Sequence, residues 1–130
     1  MKTAFIIIDV QNILVETGFE TQKLLEKISY LQDQARKQQI EIIYIQHIET
    51  EEALTSEDWK LSPLLKRQSD EKVFQKRYNS IFKETGLKEY LDQQGIEKLV
   101  LCGMQTEYCV DTSVKVAFEH GYKLVVPEGT

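Results

Sequence analysis

The sequence predicts an α/β protein: an open, mostly parallel β-sheet with helices packed on both faces. Three observations carry that expectation. The first strand candidate, Thr3–Val10, is apolar at nearly every position and rich in isoleucine, as a central parallel strand covered above and below must be. Strand-like runs then alternate with segments of helical period along the whole chain. No internal repeat or low-complexity linker interrupts the alternation, so successive strands are joined by right-handed crossovers within one sheet.

Taken in order, strand one ends at Asp9, and Gln11 to Gly18 lacks a clear period and reads as the loop leaving it. A helix is predicted from about Thr21 to Gln38, because Leu24, Leu25, Ile28, Leu31 and Ala35 recur at helical spacing while Lys23, Lys27, Asp33 and Lys37 fall elsewhere. Ile40–His47 is the second strand. Glu49 to Asp70 is the least regular stretch, opening on the acidic run Glu49–Glu52 and broken by Pro63. Val73–Lys76 is a short third strand, and Arg77–Ser80 is the turn after it. Leu87, Tyr90 and Leu91 define a short helix stopped by Gly95, a good residue to follow a helix end. Ile96 and Leu99–Cys102 form strand four. The next helix carries Val110, Val114, Ala117 and Phe118 on one face and ends near Gly121, and Tyr122–Pro127 is strand five.

At 130 residues the chain is read as a single domain, 1–130, long enough for a real core. Sixteen basic against 21 acidic residues leave a net charge of −5, which provides no basic surplus for nucleic acid or an anionic membrane. The longest apolar run, Ala4–Ile8, is far too short to span a bilayer, and Met1-Lys2-Thr3 running directly into it leads us to expect no signal peptide. Cys102 and Cys109 form neither a CxxC pair nor a disulfide framework, so a reducing, cytoplasmic setting is expected.

Gly103–Ser113 is where chemistry is expected. It leaves a buried strand through a glycine, and Thr106 is a good N-cap residue. With that cap, Cys109 falls in the first helical turn, among unpaired N–H groups at the positive end of the dipole, where a thiolate is favoured. A small, buried, inert cysteine fits the spacing equally well. Asp9 and Lys76 end two other strands, and sites in open α/β sheets form at the carboxyl edge of the strands. Should strands one and four be neighbours and strand three bend inward, the three side chains meet in one crevice. A carboxylate beside a thiol can take its proton, and an ammonium steadies both anions. Read singly, Asp9 is a turn residue and Lys76 a solvated lysine among Lys72, Arg77 and Lys83; only together do they outweigh those readings.

Three segments together resemble the isochorismatase-like cysteine hydrolases, the superfamily of nicotinamidases and related amidases. They are Phe5-Ile6-Ile7-Ile8-Asp9-Val10-Gln11-Asn12, Lys76-Arg77-Tyr78-Asn79-Ser80-Ile81-Phe82 and Gly103-Met104-Gln105-Thr106-Glu107-Tyr108-Cys109-Val110. The resemblance covers essentially the whole chain in the right order. It implies a Rossmann-like, three-layer α/β/α fold with strand order 3-2-1-4-5-6, of which this chain holds 3-2-1-4-5, so that the domain is expected to be truncated at its C-terminus. It implies a catalytic triad of Asp9, Lys76 and Cys109, and a cis peptide at Met104–Gln105 that aims the Gln105 amide, with that of Cys109, at an oxyanion. Metal-binding members carry an Asp-x-His segment and further histidines after strand two. The corresponding Gln46-His47-Ile48-Glu49 does not match, so neither a metal nor another cofactor is expected.

The resulting expectation is a hydrolase that cleaves the C–N bond of a small amide through a thioester on Cys109. Gln11 and Asn12 are candidate substrate donors, His47 a strand-end residue lining the pocket, and Trp59 and Tyr108 either walls of the site or core or interface residues. The alternative reaction is vinyl-ether hydrolysis of the isochorismatase type, with Asp9 as general acid. An alternative of another class is a non-catalytic or redox α/β protein, against which stand the isolated Asp9, the separated cysteines and the lack of GxGxxG after strand one. The expected partners are a small-molecule substrate and, given an exposed edge after Val126, further copies of the chain in a homo-oligomer.

Overall fold

The computed structural model describes residues 1–11, 21–48, 60–103 and 110–127. Its elements run β1 (Lys2–Ile8), α1 (Thr21–Lys37), β2 (Glu41–His47), a 3-10 turn (Pro63–Leu65), β3 (Lys72–Lys76), α2 (Leu87–Gln93), β4 (Ile96–Gly103), α3 (Asp111–Glu119) and β5 (Lys123–Val125). All four strand pairings are parallel, and the sheet order is β3-β2-β1-β4-β5, the order that the resemblance implies.

Strand alternation sorts the apolar residues into two layers. Ala4, Ile6, Ile8, Ile43, Ile45, Leu99 and Leu101 face α2 and α3, meeting Leu87, Leu91, Val110 and Ala117. Phe5, Ile7, Ile42, Tyr44 and Cys102 face α1, meeting Leu25, Ile28 and Ala35. Each buried Ile or Leu side chain contributes on the order of 1.5–3 kcal/mol to the hydrophobic drive. β1 touches both layers from Ala4 to Ile8, which is why that part of it is apolar without a break.

Helix ends lie where glycine chemistry puts them. Gly95 adopts φ 70° and its N–H reaches Asp92 O at 3.1 Å, closing α2; Gly121, at φ 91°, follows α3. Two expectations need correction. Phe118 does not share the buried face of α3: it is 74% exposed, and the buried residue beside Ala117 is Ser113. β5 is only three residues long, because Tyr122 turns into the core with its hydroxyl on Asp92 at 3.0 Å, and Val126 is exposed beyond the last strand pair. Part of the irregular stretch also becomes legible. Leu61 forms an antiparallel bridge with Gln11, and Ser62 N–H donates to Val10 O at 2.9 Å, so the chain before the 3-10 turn straps the exit of β1.

Candidate active site

At the carboxyl edge, β1 ends in a backbone irregularity. Asp9 has φ 60°, the left-handed region that costs an ordinary L-residue roughly 1–2 kcal/mol and that aspartate tolerates better than most. Its N–H still donates to Ile45 O at 2.9 Å, and its own carbonyl accepts from Gln11 N–H at 3.0 Å, a tight turn about Val10. The kink switches the strand's parity. Ile8 belongs to the α2/α3 layer, yet Val10, which plain alternation would put with it, packs in the α1 layer. Asp9 stands at the pivot, buried, and turns toward Lys76. Strain of this kind concentrates at functional positions.

Lys76 ends β3, two strands away. Register places it beside His47 of β2, and Ile45 of β2 beside Ile8 of β1, so its backbone is two strand spacings, roughly 10 Å, from β1. The long side chain crosses the end of β2, fully buried, and brings Nζ to 3.3 Å from Asp9 Oδ2. At an effective dielectric near 20 the attraction is of order 5 kcal/mol, set against the desolvation of both ions.

Two of the three ammonium hydrogens have acceptors other than Asp9. Nζ lies 3.0 Å from the Tyr78 carbonyl and 3.2 Å from His47 Nδ1. Among the described residues neither oxygen of the buried Asp9 carboxylate accepts a hydrogen bond. Asp9 is therefore balanced in charge while the described residues leave its lone pairs unspent, an arrangement suited to receiving a proton.

Gln11, fully buried, holds the next residue of this chain of contacts. Its amide donates to His47 O at 3.0 Å and accepts from His47 N–H at 2.7 Å, closing two bonds on one peptide as a paired strand would. His47 is half-buried. Structure thus brings Asp9, Gln11, His47 and Lys76 together. Asn12, Trp59, Gln105, Tyr108 and Cys109 lie outside the described residues, as do the Thr106 cap and the Met104–Gln105 peptide.

Gly103 fixes where the segment bearing those last residues departs. It pairs with Ile8 at φ 148°, and a Cβ there would lie 2.0 Å from the Ile8 carbonyl oxygen. Only glycine permits so close an approach of the β1 and β4 exits. On the far side of the undescribed residues, Ser113 of α3 accepts from Ile81 N–H through Oγ at 3.1 Å, anchoring the turn after Lys76 to the helix that follows Cys109. Ser113 closes the stretch singled out for chemistry, but sequence reasoning gave it no role of its own; its spacing, three residues after Val110 and four before Ala117, was a usable signal.

The remaining polar clusters lie elsewhere. Cys102 is buried in the α1 layer, where burial alone pushes its thiol far up, out of the reactive range. A cleft of about 780 Å³ opens at the opposite, amino edge of the sheet, where Arg36 and Glu71 pair with each other at 2.9 Å. It is remote from Asp9, and the carboxyl edge is where chemistry in such sheets resides.

A sequence model of the isochorismatase domain matches residues 3–129. An uncharacterized isochorismatase family protein of Bacillus subtilis is 29% identical over 98% of this chain and 76% of its own length. Maleamate amidohydrolase of Pseudomonas putida is 37% identical over a shorter stretch, 45% of this chain and 28% of that enzyme. Among solved structures, that of an isochorismatase family protein superposes with a TM-score of 0.88 at 30% identity, covering 94% of this chain and 75% of the other. The chain belongs to the isochorismatase family, and it is by that membership a hydrolase.

Proposed function

We propose that this protein hydrolyses the C–N bond of a small amide with Cys109 as nucleophile. Asp9 takes the thiol proton, and the thiolate attacks the carbonyl carbon. The amides of Gln105 and Cys109 hold the oxyanion. As the C–N bond breaks, Asp9 returns its proton to the departing nitrogen. Water, deprotonated in turn by Asp9, then cleaves the thioester and restores the thiol. Lys76 touches neither reacting atom in this scheme; it holds the negative charge that moves between Asp9 and the sulfur. Asn12, Trp59 and Tyr108 are proposed to shape the pocket.

The observation that carries this reading is the buried Asp9 carboxylate, paired in charge with Lys76 but without a hydrogen bond among the described residues. A base whose lone pairs were occupied would have to break a bond before taking a proton. The amide as substrate class is supported by the name of the amidohydrolase relative. A cytoplasmic setting and a homo-oligomer complete the proposal; the exposed Val125 and Val126 beside the short edge strand β5 support self-association.

Ammonia release from a panel of small amides tests the scheme. Cys109→Ala is expected to reduce turnover to background and Asp9→Asn to lower kcat by roughly 10²–10⁴-fold. Undiminished turnover in Cys109→Ala, with loss in Asp9→Asn, would sink the nucleophile and point instead to vinyl-ether chemistry led by Asp9.

A further inference from the structure

In a parallel pair the ladder bonds recur every two residues along each strand. Asp9 N–H donates to Ile45 O at 2.9 Å. The next bonds of a continued ladder would therefore run from His47 N–H to Asp9 O and from Gln11 N–H to His47 O. The kink at Asp9, with φ 60°, diverts both. Asp9 O and Gln11 N–H bond each other at 3.0 Å instead, which takes from His47 the two strand partners it would have had. The Gln11 side chain supplies both. Its Oε1 accepts from His47 N–H at 2.7 Å, and its Nε2 donates to His47 O at 3.0 Å. A primary amide offers the same kinds of donor and acceptor as a peptide, so the side chain stands in for the backbone that turned away. Gln11 is fully buried. The strap before the 3-10 turn pins its main chain, through the Gln11–Leu61 bridge and the 2.9 Å bond from Ser62 N–H to Val10 O.

We propose that Gln11 is a positioning residue: its side-chain amide continues the β1–β2 ladder past the kink, so that Asp9 can leave the strand without releasing the exit of β2. That exit is bonded to Lys76. On its other side β2 holds β3 through the 2.8 Å bond from Ile48 N–H to Lys76 O, and His47 Nδ1 lies 3.2 Å from Lys76 Nζ. The 3.3 Å between Asp9 Oδ2 and Nζ is thus set across three strand ends, and Gln11 spans the place where the first ladder stops. Unlike a substrate donor, Gln11 acts through Asp9 and Lys76, so it bears on kcat and not on KM. The inference rests on the reading of Asp9 as the group that transfers the proton, which the amide and vinyl-ether schemes share.

Two variants separate reach from chemistry. Gln11→Asn keeps the amide but stops one methylene short of His47, and Gln11→Met keeps the length without the amide. Amide hydrogen exchange on the full chain, resolved by NMR, needs no substrate. In both variants His47 N–H is expected to exchange about tenfold faster, the order of factor that one hydrogen bond is worth, while Ile43 N–H keeps its native rate. The ring-nitrogen resonances of His47 are told apart from those of His120, the other histidine, by His120→Gln. In both Gln11 variants they are expected to move toward those of a solvated imidazole, whereas a loss of overall stability alone leaves them in place. In ammonia release from the amide panel, kcat should fall about 10–10²-fold with KM within about threefold of native. Native exchange at His47 and native ring resonances in both variants overturn the proposal. So does a raised KM with unchanged kcat, the signature of a substrate donor. Should Gln11→Met fail to fold, Gln11→Asn decides alone. Full turnover in Asp9→Asn, with the exchange and ring effects present, overturns instead the reading of Asp9, and with it the catalytic use of the pair that Gln11 holds.

Discussion

Asp9 combines three properties that rarely coincide: a left-handed backbone, a buried charge and lone pairs that no described residue occupies. Each sets a different limit on substitution. Asn tolerates φ 60° but leaves Lys76 buried without its counter-charge, whereas Val loses the charge and also resists the backbone. Thermal or urea unfolding should therefore show Asp9→Val less stable than Asp9→Asn by about 1–2 kcal/mol, with both inactive; equal stabilities would mean that the kink relaxes freely. Asp9 and Lys76 were visible in the sequence as strand-end residues, and they acquired weight only as members of a set. What the sequence could not convey was the burial of Lys76. Its neighbours Lys72 and Arg77 are exposed, and a one-dimensional reading averages over them. Nor does spacing reveal that the Lys76 hydrogens point to His47 and Tyr78, because those contacts cross between strands.

Among the elements, β1 and β4 are bound most tightly at their exits. Gly103→Ala would drive a methyl to 2.0 Å from the Ile8 carbonyl, and no rotamer relieves a clash with backbone. We expect a loss of at least about 3 kcal/mol, or failure to fold, measured by chemical denaturation. Ser113→Ala tests the link between α3 and the turn after β3. It leaves the buried Ile81 N–H without its acceptor, at a cost of roughly 1–3 kcal/mol. Its signature is a fall in activity at temperatures where the fold persists, since Lys76 opens that turn. Strands and long helices were legible because burial on two faces, or on one stripe, writes a period into the sequence. α3 was legible in position and in most of its packed face: Val110 and Ala117 are buried and Val114 packs against the core, while Phe118 is exposed and Ser113 is buried in addition.

At the scale of the molecule, the two edges of the sheet divide their duties. The amino edge is held by Arg36, Glu71, Tyr44 and Gln32: Arg36 Nε and Nη2 both bond the Glu71 carboxylate, and the Tyr44 hydroxyl donates to Glu71 Oε1 at 2.9 Å. Burial works to raise the Glu71 carboxyl, but its bonds from Arg36, the Gln68 N–H and Tyr44 outweigh burial and hold it below the usual 4.5. A depressed carboxyl adds stability above its unfolded value, and that stability fades as pH falls through the folded one. Native stability should therefore decline below about pH 4.5 through this group, and Glu71→Gln should flatten that part of the profile while costing roughly 1–3 kcal/mol at neutral pH. Unfolding curves at several pH values check both. None of this network was foreseen, since Arg36 and Glu71 lie far apart in sequence and no periodicity links them.

Lys76 has a further consequence for how the protein fails. Among the described residues β3 is an edge strand of this sheet, five residues long, with β2 as its one strand neighbour, and edge strands open before the centre does. Its terminal ammonium nevertheless supplies the countercharge of an aspartate two strands away. Fraying of one outer strand thus strands a bare carboxylate in the interior, long before the isoleucine layers separate. Inactivation should begin at denaturant concentrations that leave the spectroscopic signature of the sheet untouched, so that lost activity reports on the rim and not on the core.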